Sequence, residues 1–279
     1  MFKLFGKKQE EPKPAPEKNP ELAALGAQFE AEEITILAVT GPNAFRGSKG
    51  EDDQLWRAGM DLTAWVEEDG DAPVVRAPAR LVTLADDKLM TFLRQRTPRD
   101  GIIRAKVRRS KKDDRFLLVD IPEPAMEPEL KAILEEQKKP VTASDPELGI
   151  FLLDRSADWF AAEKAWLSQT IQLTFDRTSD REGCFGTART LFTDPEGWDA
   201  RARDFAAGQL LEQANDWAEE AGEPVTREQF MARLELESIH VLDDGSFEMW
   251  FGDGELFWGH SIHLLGDLTN GPTEARMEG

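Results

Sequence analysis

Cysteine, tyrosine and histidine are the residues that this 279-residue chain has least of, with one cysteine, no tyrosine and three histidines. The single cysteine, Cys184, excludes an intramolecular disulfide and favours a reducing, cytoplasmic setting. Because Cys184 lies in Gly-Cys-Phe-Gly with no histidine nearby in sequence, we expect a buried thiol and not a nucleophile. With so few histidines and thiols, most nucleophilic and metal-hydrolase sites cannot be assembled. We therefore expect no cofactor and no metal.

Long apolar runs are absent as well. No stretch approaches the ~18 apolar residues that a membrane-spanning helix requires. Residues 1–5 are apolar apart from Lys3, but the segment is too short for a secretory signal, and two further lysines follow it. We therefore expect no membrane association.

Negative charge dominates the second half of the chain. Residues 145–279 hold 28 acidic and 10 basic side chains, a net charge of −18, whereas residues 1–144 hold 26 and 24, a net charge of −2. An acidic half repels nucleic acid and anionic membranes and suits a basic protein partner, although acidic surfaces also serve solubility alone. A length of 279 residues is typical of two domains.

Proline-rich stretches mark the domain boundaries. Residues 1–22 are rich in Lys, Glu and Pro, which cannot bury enough apolar surface to fold, so we predict a disordered tail. We predict a β-barrel-like domain over residues 23–122 and an α+β domain over residues 147–279. Between them, prolines bracket a helical segment over residues 129–138, and we interpret residues 123–146 as a linker with a helix.

The first domain has the element order of an oligonucleotide-binding-type barrel. Strands are predicted over 33–40, 56–66 and 74–84, the second of them from apolar residues at alternate positions. Asp86 is placed to cap a helix that ends before Pro98. Two further strands, over 101–109 and 115–121, form a hairpin. Three strands, one helix and two strands is the order of this barrel class, which readily hosts nucleic-acid sites.

A basic segment makes nucleic-acid binding an alternative function of this domain. Residues 94–115 carry ten basic side chains against three acidic ones, and Arg104, Lys106 and Arg108 share one face of a strand. The exposed aromatic side chains that would stack bases are missing, since Phe116 stands almost alone. A solvated hairpin face explains the charge equally well, so we do not expect nucleic acid to be the main partner.

The second domain is predicted to be an antiparallel sheet packed on two or three helices. Strands over 149–153, 159–166 and 169–175 precede a helical segment over 180–192. A longer helix begins at Pro195, and its apolar residues recur at intervals of three and four as far as Trp217. Thr226 and Gln229 form a capping box for a third helix, and residues 236–242 form the strand that enters a β-meander.

The meander over residues 243–266 holds two of the three histidines and the densest aromatic cluster. Asp-Gly pairs at 244–245 and 253–254 predict tight hairpin turns. Alternation over 246–251 predicts a strand with one buried face, and the next strand is predicted over 256–265 with a bulge at Gly259. His260 and His263 would then lie on opposite faces of that strand and could not share a metal ion.

Five side chains of the meander are candidates for binding a protein partner: Trp250, Asp253, Glu255, Trp258 and His260. The alternative is a hydrolase in which His260 acts with Asp253, Glu255 or Glu248. Turn formation already accounts for the aspartates, so we expect these polar side chains to serve mainly the architecture.

Several short motifs of the second domain form a specific set. They are Asp-Gly-Ser-Phe-Glu at 244–248, Phe-Trp-Gly-His-Ser-Ile at 257–262, Asp-Trp-Phe at 158–160, Ala-Asn-Asp-Trp at 214–217 and Leu-Glu-Ser-Ile at 236–239. Through these motifs the chain resembles the bacterial domain-of-unknown-function family 2262, and the resemblance covers about residues 147–279. The resemblance implies a fold and a bacterial origin, but no activity and no catalytic residues. The acidic charge of this domain, its aromatic meander and the lack of a convincing catalytic set lead us to predict a non-catalytic protein-binding module, by analogy of the immunity or stress-response kind.

Overall fold

The computed structural model describes residues 19–50, 53–70, 72–218 and 224–279. The chain divides into two compact units between Lys139 and Pro140. The disordered tail predicted over residues 1–22 falls mostly outside the described residues, and its end begins helix α1 (Pro20–Gly26). Within the described ranges, no helix combines the length and the apolar character needed to cross a membrane.

The first unit continues with five long strands, one short strand and two helices. They are β1 (Ile34–Thr40), β2 (Arg46–Ser48), β3 (Trp56–Glu67), β4 (Ala79–Ala85), α2 (Asp87–Arg96), β5 (Ile102–Arg109), β6 (Arg115–Asp120) and α3 (Pro128–Gln137).

The five long strands close into a barrel. Neighbours follow the order β1-β5-β6-β4-β3, and β3 pairs again with β1. All of these pairs are antiparallel except β4 with β6, and β2 lies beside β3 outside the closed ring. This is the topology of an oligonucleotide-binding-type barrel, so the fold predicted for the first domain is confirmed.

Alternating side chains of β3 fill the barrel. Ala58, Met60 and Leu62 are buried, whereas the residues on either side of them are mostly exposed or half-buried. The Asp86 carboxylate accepts a hydrogen bond from the Leu89 backbone N–H at 2.8 Å and so caps α2, as predicted. Two buried residues of α2 join the same core.

Helix α3 packs on the barrel and does not act as a linker. Leu130 and Leu134 are buried against apolar residues of β1 and β3, and the Gln137 side chain donates to the Thr40 carbonyl at 2.8 Å. Leucines at i and i+4 form a narrow apolar stripe, which the charged residues of this helix obscured in the sequence. A strand also lies inside the predicted linker, so the connection between the units is shorter than expected.

The described part of the second unit contains eight strands and three helices. They are β7 (Thr142–Asp145), β8 (Gly149–Asp154), β9 (Trp159–Trp166), β10 (Gln169–Asp176), α4 (Arg181–Thr193), α5 (Pro195–Ala218), α6 (Arg227–Arg233), β11 (Glu235–Val241), β12 (Ser246–Gly252), β13 (Ser261–Asp267) and β14 (Gly271–Glu278).

The eight strands form one sheet in chain order from β7 to β14. Every pair is antiparallel except β10 with β11, because the three helices come between these two strands in the chain. Alternate residues of the strands and the apolar stripes of the helices share one hydrophobic core. The predicted α+β class, with a mainly antiparallel sheet packed on helices, is confirmed.

The meander differs from its prediction after β12. The Asp-Gly pair at 253–254 does not make a two-residue hairpin, and residues 253–260 instead form a loop before β13 begins at Ser261. Gly259 therefore lies in a loop with φ 88° and is not a strand bulge. His260 lies outside the strand as well, so the predicted face alternation with His263 does not arise.

Candidate binding site

The loop over residues 253–260 is organised by one buried carboxylate. Asp253 is 4% exposed. Its Oδ2 accepts hydrogen bonds from the backbone N–H groups of Phe257 at 2.6 Å and Gly259 at 3.1 Å, and its Oδ1 accepts one from Glu255 at 3.1 Å. A carboxylate that accepts several backbone N–H bonds can replace a regular turn as the organiser of a loop.

The loop backbone adopts conformations that side chains usually avoid. Positive φ values occur at Gly254, Glu255, Trp258 and Gly259, with 57° at Trp258. For a bulky residue such a value is an outlier that costs free energy and persists only where its surroundings impose it. The bonds to Asp253 on both sides of Trp258 provide that constraint.

Three aromatic rings form what we call the loop platform: Trp217, Trp258 and His260. The Trp217 ring lies 5.2 Å from Trp258 and 5.5 Å from His260 between centroids. Below it lies Phe257, fully buried, with its centroid 5.7 Å from that of Trp217. Trp258 itself is 68% exposed. The platform is therefore a rigid aromatic surface that presents one large indole to solvent.

The surroundings of the platform are acidic. Glu255, in the loop, and Asp216, next to Trp217 on α5, are both exposed. The whole unit, residues 140–279, carries 28 acidic and 10 basic side chains, a net charge of −18. An exposed indole in a negative field favours contact with cationic groups.

Sequence reasoning missed Trp217. Its place in the apolar stripe of α5 suggested core packing alone, whereas the structure places it half-buried at the junction of helix and loop. The signal was available in principle, since a tryptophan at the last turn of a long helix lies beside whatever loop the fold brings there.

Trp250 belongs to a different surface. It lies on the sheet face opposite the helices, where its ring stacks on His263 at 4.1 Å between centroids and an interplanar angle of 15°. Glu248 Oε2 lies 2.9 Å from His263 Nε2, and Arg276 lies 3.4 Å from Nδ1. Because a guanidinium can only donate, Nδ1 accepts and Nε2 carries the proton that is donated to Glu248. His263 is thus a buried structural residue with both nitrogens bonded.

The predicted hydrolase arrangement does not form. His260 Nδ1 contacts the Phe257 carbonyl oxygen, and within the described ranges no carboxylate bonds to this histidine. Asp253 faces backbone N–H groups instead, and Glu255 is exposed. In the same part of the chain, no group of three His, Cys, Asp or Glu side chains is arranged to hold a metal ion.

Cys184 lies fully buried in α4. Burial, with a smaller contribution from the negative charge of Asp243, raises the pKa of its thiol to about 11. At neutral pH the side chain is therefore a thiol and not a nucleophilic thiolate.

The basic side chains predicted to share one face of the first unit form contacts within that unit. Arg104 bonds to Glu68 at 2.7 Å, and Lys106 forms an ion pair with Glu33. The hydrogen bond to Glu33 raises the pKa of Lys106. Arg108 donates to the carbonyl group of Gly26, at the end of α1, and to those of Phe29 and Glu30 beyond it. Arg104 and Lys106 are therefore each partnered by a carboxylate, and Arg108 joins β5 to the segment around the end of α1.

Comparison with known proteins finds a match to a family model in each unit. Residues 145–277 match the family described as "Uncharacterized protein conserved in bacteria (DUF2262)", and residues 21–137 match "Domain of unknown function (DUF7021)". The first match confirms the resemblance found in the sequence. No curated protein matches the chain significantly.

Among solved structures, the chain is similar to the wild-type single-stranded DNA binding protein from Thermus aquaticus. The identity is 10%, the alignment covers 51% of this chain and 72% of the other, and the TM-score is 0.23. A TM-score this low supports neither a shared site nor a shared ligand.

Proposed function

We propose that the second unit is a protein-binding module in which Trp258 is the central contact. Neither matching family description names an activity, so the proposal rests on the geometry of the site. The observation that carries the proposal is the exposure of Trp258, 68%, on a loop that holds it in a left-handed backbone conformation. Tryptophan is among the side chains that contribute most to protein interfaces, because it buries a large area and loses little side-chain freedom.

Rigidity adds to the effect of exposure. The Asp253 carboxylate fixes the loop from within, and Trp217 supports the exposed indole from behind. A contact residue that is already ordered loses less conformational entropy on binding than a mobile one. The strained backbone at Trp258 is consistent with a position kept for contact and not for folding alone.

The partner that fits is a basic protein surface. The net charge of −18 on the second unit attracts such a partner over a distance, and a lysine or arginine side chain can pack on the indole face of Trp258. Because screened charges contribute less, we expect the interaction to weaken as salt is raised.

The test is affinity capture with the full chain and two variants. Trp258→Ala should reduce recovery of a specific partner by at least about tenfold, since such central aromatic residues contribute about 2 kcal/mol or more. Leu167→Ala is the matched control, because Leu167 is also an exposed apolar residue of this unit, 46% exposed, with a positive φ of 53°. Equal recovery with Trp258→Ala and the wild type, or recovery of no partner, contradicts the proposal.

A further inference from the structure

The first unit carries a surface groove that is lined by arginines and apolar residues. It has a volume of about 470 Å³ and lies on the outer surface of β3, β4 and β6, with α1 as one wall. Its floor is apolar and includes Gly59, Val82 and Leu84. The volume falls in the range of sites for small organic ligands, about 300–1,000 Å³.

Helix α1 forms a wall without filling the groove. Its seven residues include no buried side chain. The helix is held at its carboxyl end, where Arg108 donates to the Gly26 carbonyl at 3.1 Å and Lys111 to the Ala27 carbonyl at 3.0 Å. Cations at this end also interact favourably with the helix dipole. A short helix gains little stability alone, so these bonds fix the wall while the space beneath it stays open.

Three arginines border the groove: Arg57, Arg80 and Arg115. Their ion-pair partners, Asp53, Asp61 and Asp113, lie outside the residues that line it. Among the lining residues that the structure describes, Glu21 is the single carboxylate. A guanidinium has five N–H donors, so an arginine in one ion pair retains donors for a second anion.

Gly59 keeps the floor flat. A Cβ atom at this position would lie 3.0 Å from Arg80 Nε and 3.2 Å from the Leu81 carbonyl oxygen. Any side chain here would therefore press on an arginine of the rim and occupy the space above the floor. The glycine leaves room for a planar or aliphatic group next to the guanidinium groups.

We propose that this groove binds a compact organic anion whose apolar body lies on the floor and whose charged group meets the arginines. The inference is independent of the function proposed for the second unit. Charge complementarity identifies the ligand class, because the lining carries three guanidinium groups and one carboxylate in a chain whose net charge is −20.

Two fluorescent probes of matched shape test the proposal on the full chain. The first is 8-anilinonaphthalene-1-sulfonate, and the second is N-phenyl-1-naphthylamine, which is the same molecule without the sulfonate. We expect saturable binding of the sulfonate with one site per chain, and binding of the neutral probe at least about tenfold weaker, since it lacks the charge-assisted bonds. Raising the salt concentration should reduce the difference in affinity between the two probes.

Substitutions of groove residues test whether the probe binds there. Arg80→Gln should weaken sulfonate binding about tenfold by removing a charge-assisted bond, and Gly59→Val should weaken it comparably by filling the floor. Arg76→Gln is the matched control, because Arg76 is an exposed arginine of the same unit that pairs with Glu129 away from the groove. Trp258→Ala, in the second unit, should leave binding unchanged.

Three outcomes would overturn the inference. They are the absence of saturable sulfonate binding, equal affinity for the two probes, and unchanged sulfonate affinity in Arg80→Gln. Circular dichroism of each variant shows whether it is folded, and Arg80→Gln keeps the test decisive if Gly59→Val does not fold.

Discussion

Replacing Asp253 by alanine tests whether one carboxylate organises the loop over residues 253–260. The substitution removes three hydrogen bonds from backbone N–H groups. The N–H of Phe257 is buried and would lack a partner, which costs about 1–3 kcal/mol. The N–H groups of Glu255 and Gly259 belong to exposed residues and can bond to water. Adding a smaller loss for these two charge-assisted bonds gives about 3 kcal/mol in total.

The conservative variant Asp253→Asn removes the negative charge but keeps the size and shape of the side chain. Its remaining oxygen can keep the two bonds that Oδ2 accepts, so we expect a loss of only about 1 kcal/mol. Asp267→Ala is the matched control, since that aspartate also accepts from two backbone N–H groups, but these belong to the exposed residues Thr269 and Asn270. There we expect a loss below about 1 kcal/mol, because water replaces the carboxylate.

Urea unfolding measures the loss of unfolding free energy in each variant, and hydrogen exchange shows which residues lose their stability. In Asp253→Ala the amides of residues 253–260 should exchange about a hundredfold faster, which corresponds to about 3 kcal/mol of local stability. If Asp253→Ala and Asp267→Ala lose the same free energy and the loop amides keep their protection, the carboxylate does not organise the loop.

Three further predictions concern the cores and one ion pair. Cys184 should resist alkylation at pH 8 in the folded chain and react readily in urea, because burial raises its pKa to about 11; rapid labelling without urea would contradict this. Burial opposes ionisation of Asp145, but bonds from two backbone N–H groups and Arg189 outweigh it and lower its pKa. A lowered carboxyl pKa stabilises the fold at neutral pH and ceases to do so as the pH falls through the folded pKa. Asp145→Asn should therefore destabilise the chain in urea titrations at pH 7, and the loss should shrink as the pH is lowered below 3.8, the usual pKa of this group. A loss that stays the same at every pH would refute the argument. Leu130→Ala should cost about 2–5 kcal/mol in the urea transition of the first unit, whereas a linker helix would show almost no loss.

Much of the fold was predictable from local patterns. Alternating residues of β3 and the cap at Asp86 are properties of neighbouring residues, and they lead directly to the strand and helix order of the barrel. The capping box of Thr226 and Gln229 is present in the structure for the same reason. Where a few adjacent residues determine the conformation, the sequence is sufficient.

The candidate site was less predictable because its determinants are not local. Side-chain bonds from Asp253 impose positive φ on Glu255 and Trp258, which no pattern of residue types signals. The ion pair of Arg104 with Glu68 joins β5 to the turn after β3, so the sequence showed the cation without its partner. The aromatic ring of Trp217 likewise acquires its role only when α5 meets the loop.

The parallel pairing of β10 with β11 has a consequence for how the second unit folds. It divides the sheet into two antiparallel groups, β7–β10 and β11–β14, and each can form from contacts between neighbours in the chain. Only the junction, at Gln172–Ser238, Leu173–Ile239 and Thr174–His240, requires the closure of a long loop that contains all three helices. Since closing long loops slows folding, we expect each half-sheet to assemble early and the joining of the halves to set the rate. Substitutions at this three-residue seam should then slow refolding far more than equivalent changes within either half.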